Sequence, residues 1–241
     1  MKTIGLIGGM SWESSLEYYR IINRAVRDSC GGLHSAKSIM FSVDFADIAI
    51  MQHEERWPEA AEVLVEAAQK LEMAGASMVL LCTNTMHKLA DQIEARISVP
   101  FLHIADAAAA QVKAQGLTRV GLLGTKFTME QGFYQERLVQ NHGLEVLVPD
   151  AADRDVIHQI IYDELCQGRI QPASQRAVLG MIERLAQAGA EGVLLACTEL
   201  ELLLPPTTPT PIPLFATTQI HAVAAVELAL GEGNHPWMAQ G

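Results

Sequence analysis

An internal repeat constrains the fold of this chain more than any other feature of its sequence. Aligned without a gap, GASMVLLCTNT at 75–85 falls on GAEGVLLACTE at 189–199, which places Thr83 opposite Cys197. Two further echoes keep the same order, because GLIGG near the start matches GLLGT, and VPFL matches IPLF. A duplication within 241 residues predicts two similar domains of ordinary size.

Each half alternates short apolar runs with amphipathic stretches. The run Met78–Leu81 is continuously apolar, which is typical of a parallel strand covered by helices on both faces. A helix is predicted over residues 58–74 with Gly75 as its cap, and its counterpart spans residues 176–187. The first helix, capped by Ser11, is predicted to bury a face made of Leu16, Tyr19, Ile22 and Val26.

These patterns predict an α/β fold. Two homologous, doubly wound parallel-sheet domains are expected, with the active site in the cleft between them. The first domain is predicted to comprise residues 1–100 plus about 215–241, and the second residues 101–214. The Pro-rich stretch 205–213 is interpreted as a crossover, after which the last helix, 219–230, returns to the first half. A plain exposed loop is the other interpretation of that stretch.

Composition and charge exclude several classes of function. The formal net charge is −11 and Lys and Arg do not cluster, so nucleic acid is not an expected partner. No stretch approaches the ~20 apolar residues of a membrane span. The four cysteines are widely spaced and neither CxxC nor HExxH occurs, so no metal site is expected. Free thiols of this kind favour a reducing cytoplasmic location.

Cys197 is the first candidate for chemistry. It follows the predicted strand VLLA and precedes Thr198-Glu199, which can open a helix. A thiolate at a helix N-terminus is stabilised by free backbone N–H groups and by the helix dipole, so this cysteine is expected to be reactive. The remaining three cysteines are expected to be structural: Cys30, Cys82 and Cys166.

Further candidates lie in loops at the carboxyl ends of predicted strands, where ligands bind in such sheets. Thr83, Asn84 and Thr85 form a polar cluster whose side chains and backbone N–H groups can hold a carboxylate. A simple helix cap is the alternative. The glycine-rich turn at 8–11 lacks the pattern of a nucleotide-binding loop. The loop residues predicted to bind substrate are Met10, Asn84, Thr85, Thr125 and Thr198.

Four segments together resemble the aspartate/glutamate racemase family of cofactor-independent amino acid racemases. They read IGLIGGMSWESSLEYY, TNTMH, LACTEL and FATTQIHA, and the resemblance covers nearly the whole chain. It implies an amino acid substrate, no pyridoxal phosphate, no metal and a homodimer. It also implies a two-base mechanism, in which one thiolate removes the α-proton while an opposing thiol protonates the other face. Backbone N–H groups and hydroxyls then stabilise the charge that develops on the substrate.

The sequence departs from this family at the first catalytic position. The family's first motif reads Cys-Asn-Thr, whereas this chain has Thr83-Asn84-Thr85, and the second cysteine matches Cys197. A threonine hydroxyl is a far weaker acid than a thiol, so near neutral pH it does not stand ionised and ready to act as a base. We therefore predict an asymmetric pair of catalytic residues, with Cys197 as the working base and Thr83 relaying or donating a proton through water.

A second departure concerns substrate choice. Family members with a preference for aspartate tend to carry an arginine after the second strand, where this chain reads MQHEERW. Gln52 lies near that place and is predicted to bind substrate, although an amide cannot clamp a carboxylate as arginine does; Arg56 is an alternative. Aspartate and glutamate are the predicted substrates, and neutral polar amino acids such as homoserine are the alternative.

Two other functions compete with racemisation. Another reaction of the superfamily (arylmalonate-type decarboxylation, hydantoin racemisation or maleate isomerisation) is opposed by the polar residues at Ser11 and 83–85. A protein that binds an amino acid without catalysis would have no need of the Cys197 thiol.

Overall fold

The computed structural model describes residues 1–205 and 207–231 and divides the chain into two compact units. The first unit comprises Met1–His103 together with the segment that begins at His221, and the second comprises Ile104–Ile220. The predicted domain limits, near 100 and 215, stay a prediction. The part of the first predicted domain that covers 232–241 lies outside the described residues.

The first unit carries one sheet and its helices. In chain order the elements are β1 (Ile4–Gly8), α1 (Trp12–Cys30), β2 (Ser38–Ser42), α2 (Phe45–His53), α3 (Trp57–Met73), β3 (Met78–Leu81), a 3₁₀ helix (Thr85–Leu89), α4 (Ala90–Glu94) and β4 (Phe101–Leu102). The four strands lie in the order β2-β1-β3-β4, and all of them are parallel.

The second unit has the same arrangement of strands. Its elements are α5 (Ile104–Ala114), β5 (Arg119–Gly124), α6 (Lys126–Glu130), α7 (Gly132–His142), β6 (Glu145–Leu147), α8 (Ala151–Gln159), a π-helical turn (Ile160–Glu164), a 3₁₀ turn (Leu165–Gln167), α9 (Pro172–Gln187), β7 (Gly192–Ala196), α10 (Thr198–Leu203) and β8 (Leu214–Ala216). The order β6-β5-β7-β8 is again wholly parallel. The final helix, α11 (Thr217–Leu230), runs across the boundary between the two units in the chain.

Strand register supports the internal repeat residue by residue. Gly5 pairs with Val79 in the first sheet, and Gly121 pairs with Val193 in the second. These are the residues that the sequence alignment equates across the two halves. The predicted fold class is therefore confirmed: the chain is α/β, with two parallel four-stranded sheets of matching topology.

The central strands are buried on both faces, as their continuous apolar sequence predicts. In β7, Val193 and Leu195 join one core of the second unit, whereas Leu194 and Ala196 join another. This alternation follows from the two-residue period of a strand. Cys197 continues the first of these series and packs in the same core.

The buried face of α1 agrees with the prediction only in part, because Ile22 and Val26 are buried but the other two residues are not. Leu16 and Tyr19 are 53% and 51% exposed, whereas Tyr18 is fully buried. The cause lies in the turn after β1, where the Ser15 hydroxyl accepts from the Gly9 N–H at 2.8 Å. A Cβ at Gly8 would lie 2.6 Å from that hydroxyl, so only small groups fit there, and the serine face of the helix turns inward.

Of four other local predictions, two are confirmed and two are not. Ser11 caps α1 and β3 spans Met78–Leu81, both as predicted. The α9 helix begins at Pro172, earlier than predicted, because proline suits the first turn of a helix. Cys30 is exposed at the end of α1, so its predicted packing role is wrong. Among the described residues, no helix is long and apolar enough to cross a membrane.

Candidate active site

Cys197 lies at the carboxyl end of β7, and α10 begins with the next residue. Its side chain is nearly buried, at 7% exposure for the residue. The placement follows from the sequence, because the apolar strand ends at Ala196 and Thr198 opens the helix. The predicted position of Cys197 between a buried strand and a helix is thus what the structure has.

The Cys197 thiol has a carboxylate as its neighbour. Its Sγ donates to Oε2 of Glu199 over 3.1 Å, and the Thr198 hydroxyl donates to the same oxygen over 2.7 Å. All three residues are buried. One carboxylate oxygen therefore receives both the thiol and the hydroxyl, in a pocket where hydrogen bonds to a charged group are strong.

Burial raises the pKa of the Cys197 thiol well above its ordinary range, and the charge of Glu199 raises it further, with a contribution from Cys166. The Glu199 backbone N–H opposes this shift. This backbone donor lies at the start of the helix and favours the thiolate, as the sequence predicts, but burial and the carboxylate outweigh it. The raised pKa disfavours a standing thiolate in the resting protein.

Tyr162 lies near this pair and was not found from the sequence. Burial is the main cause that raises its pKa, and Cys166, Cys197 and Glu199 add to the shift. The Tyr162 ring lies 4.7 Å from that of His158, centroid to centroid. Tyr162 belongs to the π-helical turn that follows α8, and such turns often occur at functional sites.

Thr125 follows β5, the neighbour of β7 in the sheet, so it lies at the same sheet edge as Cys197. Its side chain caps α6 by accepting from the Thr128 N–H, and its hydroxyl also lies 3.1 Å from that of Thr128. The structure thus brings Thr125, Cys197 and Thr198 to one edge of the second sheet. That edge carries three of the eight predicted site residues.

Thr83, Asn84 and Thr85 occupy the equivalent edge of the first sheet, after β3 and Cys82. Asn84 and Thr85 are buried, and Thr83 is half-buried. Asn84 directly precedes the 3₁₀ helix and makes no side-chain capping bond to it, so the simple helix-cap interpretation does not describe it. Cys82 is fully buried, as predicted, and burial raises the pKa of its thiol.

Met10 and Gln52 lie in the same unit as Thr83. Gly9 has φ of +96°, and a Cβ there would lie 2.1 Å from the Val43 carbonyl oxygen, so the turn that leads to Met10 requires glycine. Met10 and Met86 belong to one apolar cluster. Gln52 is 4% exposed, and its amide donates to the Met86 sulfur at 2.8 Å.

Arg56, the alternative to Gln52, is engaged on the surface. Its guanidinium bonds the carboxylates of Glu54 and Glu59, and these bonds raise its pKa. Within 1–205 and 207–231, no group of three or more His, Cys, Asp or Glu side chains is arranged to hold a metal ion.

The profile of the Asp/Glu/Hydantoin racemase family matches residues 7–225. The chain belongs to this family. The match runs through both sheets and includes every predicted site residue. The resemblance drawn from the four sequence segments is thereby confirmed.

Solved racemase structures share this fold over almost the whole chain. A putative Asp/Glu racemase from Yersinia pestis is 51% identical, with a TM-score of 0.90 over 95% of this chain and 100% of that one. An aspartate racemase homologue from Pyrococcus horikoshii OT3 is 33% identical, with a TM-score of 0.83 over the same shares of the two chains.

A curated relative adds a sequence match. The broad specificity amino-acid racemase RacX of Bacillus subtilis (strain 168) is 25% identical over 213 residues, which is 83% of this chain and 87% of RacX. Arylmalonate decarboxylase, at 15% identity and a TM-score of 0.56, shares the fold. The fold of these racemases therefore does not by itself fix the reaction.

Glu199 and Tyr162 were not among the residues predicted from the sequence. Glu199 was visible in the CTE motif, but nothing in the motif shows that its side chain turns back onto the preceding thiol. Tyr162 gave no signal, since the π-helical turn breaks the period by which a helix face is predicted.

Proposed function

We propose that the protein interconverts L- and D-amino acids by removing and returning the α-proton, without pyridoxal phosphate or a metal. The observation that carries the proposal is the Cys197 thiol at the end of β7, buried and bonded to the Glu199 carboxylate. Its membership of the racemase family gives the reaction class.

Proton removal starts from the neutral thiol. Glu199 accepts the proton of the Cys197 thiol as that sulfur takes the α-proton of the substrate, so the sulfur ends as a thiol again. The electron pair left on the α-carbon spreads into the substrate carboxylate. Hydroxyls and N–H groups at Asn84, Thr85, Thr125 and Thr198 are proposed to hold that carboxylate, because donors aimed at developing charge stabilise the transition state.

Proton return uses the opposite face of the α-carbon. Thr83 donates its hydroxyl proton to the carbanion and receives one from water in the same step, so no alkoxide persists. The hydroxide that remains is neutralised by the proton that Glu199 releases to solvent. The pair is unequal, because a thiol with a carboxylate is a much better base than a hydroxyl. We therefore propose that the two directions differ in turnover, within the limit set by an equilibrium constant of one.

Aspartate and glutamate are the first proposed substrates. Gln52, beside Met10 and Met86, would meet the substrate side chain with an amide and with sulfur. A neutral amide beside a thioether sulfur also suits homoserine, and broad specificity is consistent with the likeness to RacX. The proposed enzyme is cytoplasmic and homodimeric; its four free cysteines suit a reducing compartment, and the dimer rests on the family resemblance.

The test is a chirality assay on purified protein with each enantiomer of aspartate, glutamate and homoserine, followed by chiral chromatography. Formation of the opposite enantiomer by the wild-type protein, and none by Cys197→Ala, is the expected result. Arylmalonates and hydantoins run in parallel separate the competing reactions. Turnover of those compounds with no inversion of any amino acid would contradict the proposal.

A further inference from the structure

A cluster of buried imidazoles lies behind the Thr83 turn, and the proposed mechanism does not use it. His87 and His103 are each 2% exposed, and His221 is fully buried. The His87 ring centroid lies 4.6 Å from that of His103 and 5.7 Å from that of His221. These residues come from the 3₁₀ helix, from the end of β4 and from α11, all within the first unit.

In the turn at Thr83, the usual α-helical hydrogen bond to the Thr83 carbonyl is not formed, and a side chain makes a bond to it instead. In an α-helix the N–H of residue 87 would bond the carbonyl of residue 83. Here the 3₁₀ geometry sends the His87 N–H to the Asn84 carbonyl instead, at 3.1 Å. The His87 imidazole bonds the Thr83 carbonyl in place of the backbone N–H, and its Nδ1 lies 2.7 Å from the carbonyl oxygen.

This contact fixes the proton on the imidazole. A carbonyl oxygen only accepts, so Nδ1 of His87 must carry the hydrogen. The bond closes a ring between residue 83 and residue 87, and it meets the need of a backbone carbonyl for a partner. Thr83 is thereby tied to a side chain that is itself almost wholly buried.

The neighbouring ring of His221 is held from both sides. Its Nε2 lies 2.8 Å from the Leu102 carbonyl, and its Nδ1 lies 2.7 Å from the Tyr18 hydroxyl. Because the carbonyl accepts, the neutral ring carries its proton on Nε2 and accepts from Tyr18. The imidazole beside His87 is therefore anchored to β4 and α1.

We propose that His87 is a positioning residue, which fixes Thr83 for proton transfer through the bond from Nδ1 to the Thr83 carbonyl. The inference rests on the proposed function. It assigns a role to the final histidine of TNTMH, a motif that carried the family resemblance but had no chemistry assigned beyond its first three residues.

Two substitutions separate the bond from the ring. His87→Asn keeps an N–H donor close to the position of Nδ1, whereas His87→Leu keeps much of the volume and removes the donor. His103→Leu is the matched control, because His103 is as deeply buried and packs against the same ring. Each variant is assayed in D2O for α-proton exchange and inversion with both enantiomers of the preferred amino acid.

His87→Leu is expected to slow inversion by roughly 10- to 100-fold, as when a reacting group is displaced by about 1 Å. It should slow α-proton exchange only for the enantiomer whose α-proton faces Thr83. Removal of the hydroxyl in Thr83→Ala is expected to have the same selective effect. His87→Asn should recover most of the rate, and His103→Leu should not show the selective loss. Equal loss for both enantiomers, no loss, or the same pattern in His103→Leu would overturn the proposal.

Failure of the proposed function looks different, because the wild-type protein would then exchange neither enantiomer. The bond also has a measurement that needs no activity. Long-range proton–nitrogen NMR correlations of the resting protein are expected to show a hydrogen on Nδ1 of His87. A ring with Nδ1 unprotonated cannot donate to Thr83 and would refute the positioning role directly.

Discussion

Cys197 and Glu199 are two residues apart in sequence, and their side chains meet because α10 begins between them. The carboxylate has two opposite effects on the thiol. Together with burial, it raises the pKa of Cys197, which disfavours a standing thiolate. In the mechanism that we propose, it also accepts the thiol proton when the substrate is present. These two effects can be separated by experiment.

Glu199→Gln should therefore move two properties of Cys197 in opposite directions. Loss of the negative charge should speed alkylation of Cys197 by iodoacetamide near neutral pH, measured by mass spectrometry with exposed Cys30 as the internal reference. Loss of the proton acceptor should slow racemisation by about 100-fold or more. A fall in both rates would indicate a structural defect and would contradict the acceptor role.

Thr83→Cys tests the asymmetry that we propose for Thr83 and Cys197. A second thiol is a better acid and base than the hydroxyl, so turnover in the slower direction should rise. The ratio of kcat/KM in the two directions stays fixed by the equilibrium, and kcat is therefore the quantity to compare. The same substitution in a Cys197→Ala background should bring no gain. An unchanged slower direction in Thr83→Cys would show that the account of asymmetry is wrong.

Among single residues, those defined by strand ends could be predicted from sequence. Cys197 and Thr83 are marked by the apolar runs before them and by the repeat. The protonation state of Cys197 could not be predicted, because it depends on a contact with Glu199 that no periodicity reports. The role we propose for His87 was equally hidden, since it arises from a 3₁₀ turn in place of an α-helix.

At the scale of elements, α5 and α7 are joined by a largely buried ion pair. Asp106 accepts two bonds from Arg137, at 2.8 and 2.7 Å, and one from His142 at 2.8 Å. Burial acts to raise the pKa of Asp106, but the bonds from Arg137 and His142 outweigh it and hold the pKa below its ordinary value. The stabilisation is therefore present at pH values above the ordinary pKa of an aspartate. It is lost as the pH falls through the lower pKa that Asp106 has in the folded protein.

Asp106→Asn should lower the free energy of unfolding by roughly 2–4 kcal/mol, since Arg137 would lose its carboxylate in a mostly buried place. Glu59→Gln is the matched control, because Glu59 makes a similar two-bonded pair with Arg56 on the surface. Urea unfolding near pH 7 should show little change for the control. Equal effects of the two substitutions would contradict the importance of burial.

Cys82, directly after β3, predicts that the stability of the folded protein depends on pH in the alkaline range. Burial raises the pKa of Cys82, so above the ordinary value of 9.0 the unfolded thiol ionises while the folded one does not. Stability should fall as pH rises from there, by about 1.4 kcal/mol per pH unit for one such group. Cys82→Ala should flatten the slope in urea unfolding between pH 9 and 11. Cys30→Ala, at an exposed site, should not; parallel curves for Cys82→Ala and the wild-type protein would contradict the account.

Element faces were predicted less well than element positions. The strands Met78–Leu81 and Gly192–Ala196 follow from apolar sequence alone. The orientation of α1 could not be predicted in this way, because Leu16 and Tyr19 have the right spacing for a buried face but are exposed to solvent. Packing of the small Ser15 side chain beneath Gly8 decides the rotation of that helix, and such a fit is not encoded in hydrophobic period.

For the whole molecule, the repeat is the feature from which most of the architecture could be predicted. Matching pairs such as Gly5 with Val79 and Gly121 with Val193 show that the two sheets share strand order and register. The family follows from the same segments. The substrate cannot be predicted in this way, because Gln52 offers a neutral amide, which selects among side chains less sharply than a charged group does.

The central claim is that Cys197 and Thr83 serve opposite faces of one α-carbon. Proton NMR in D2O, with separate enantiomers of aspartate, glutamate and homoserine, tests it most directly. The account predicts exchange with inversion by the wild-type protein, and none by Cys197→Ala. Thr83→Ala should exchange the α-proton of only one enantiomer, without inverting it. Undiminished exchange by Cys197→Ala, or equal exchange of both enantiomers by Thr83→Ala, would contradict the claim.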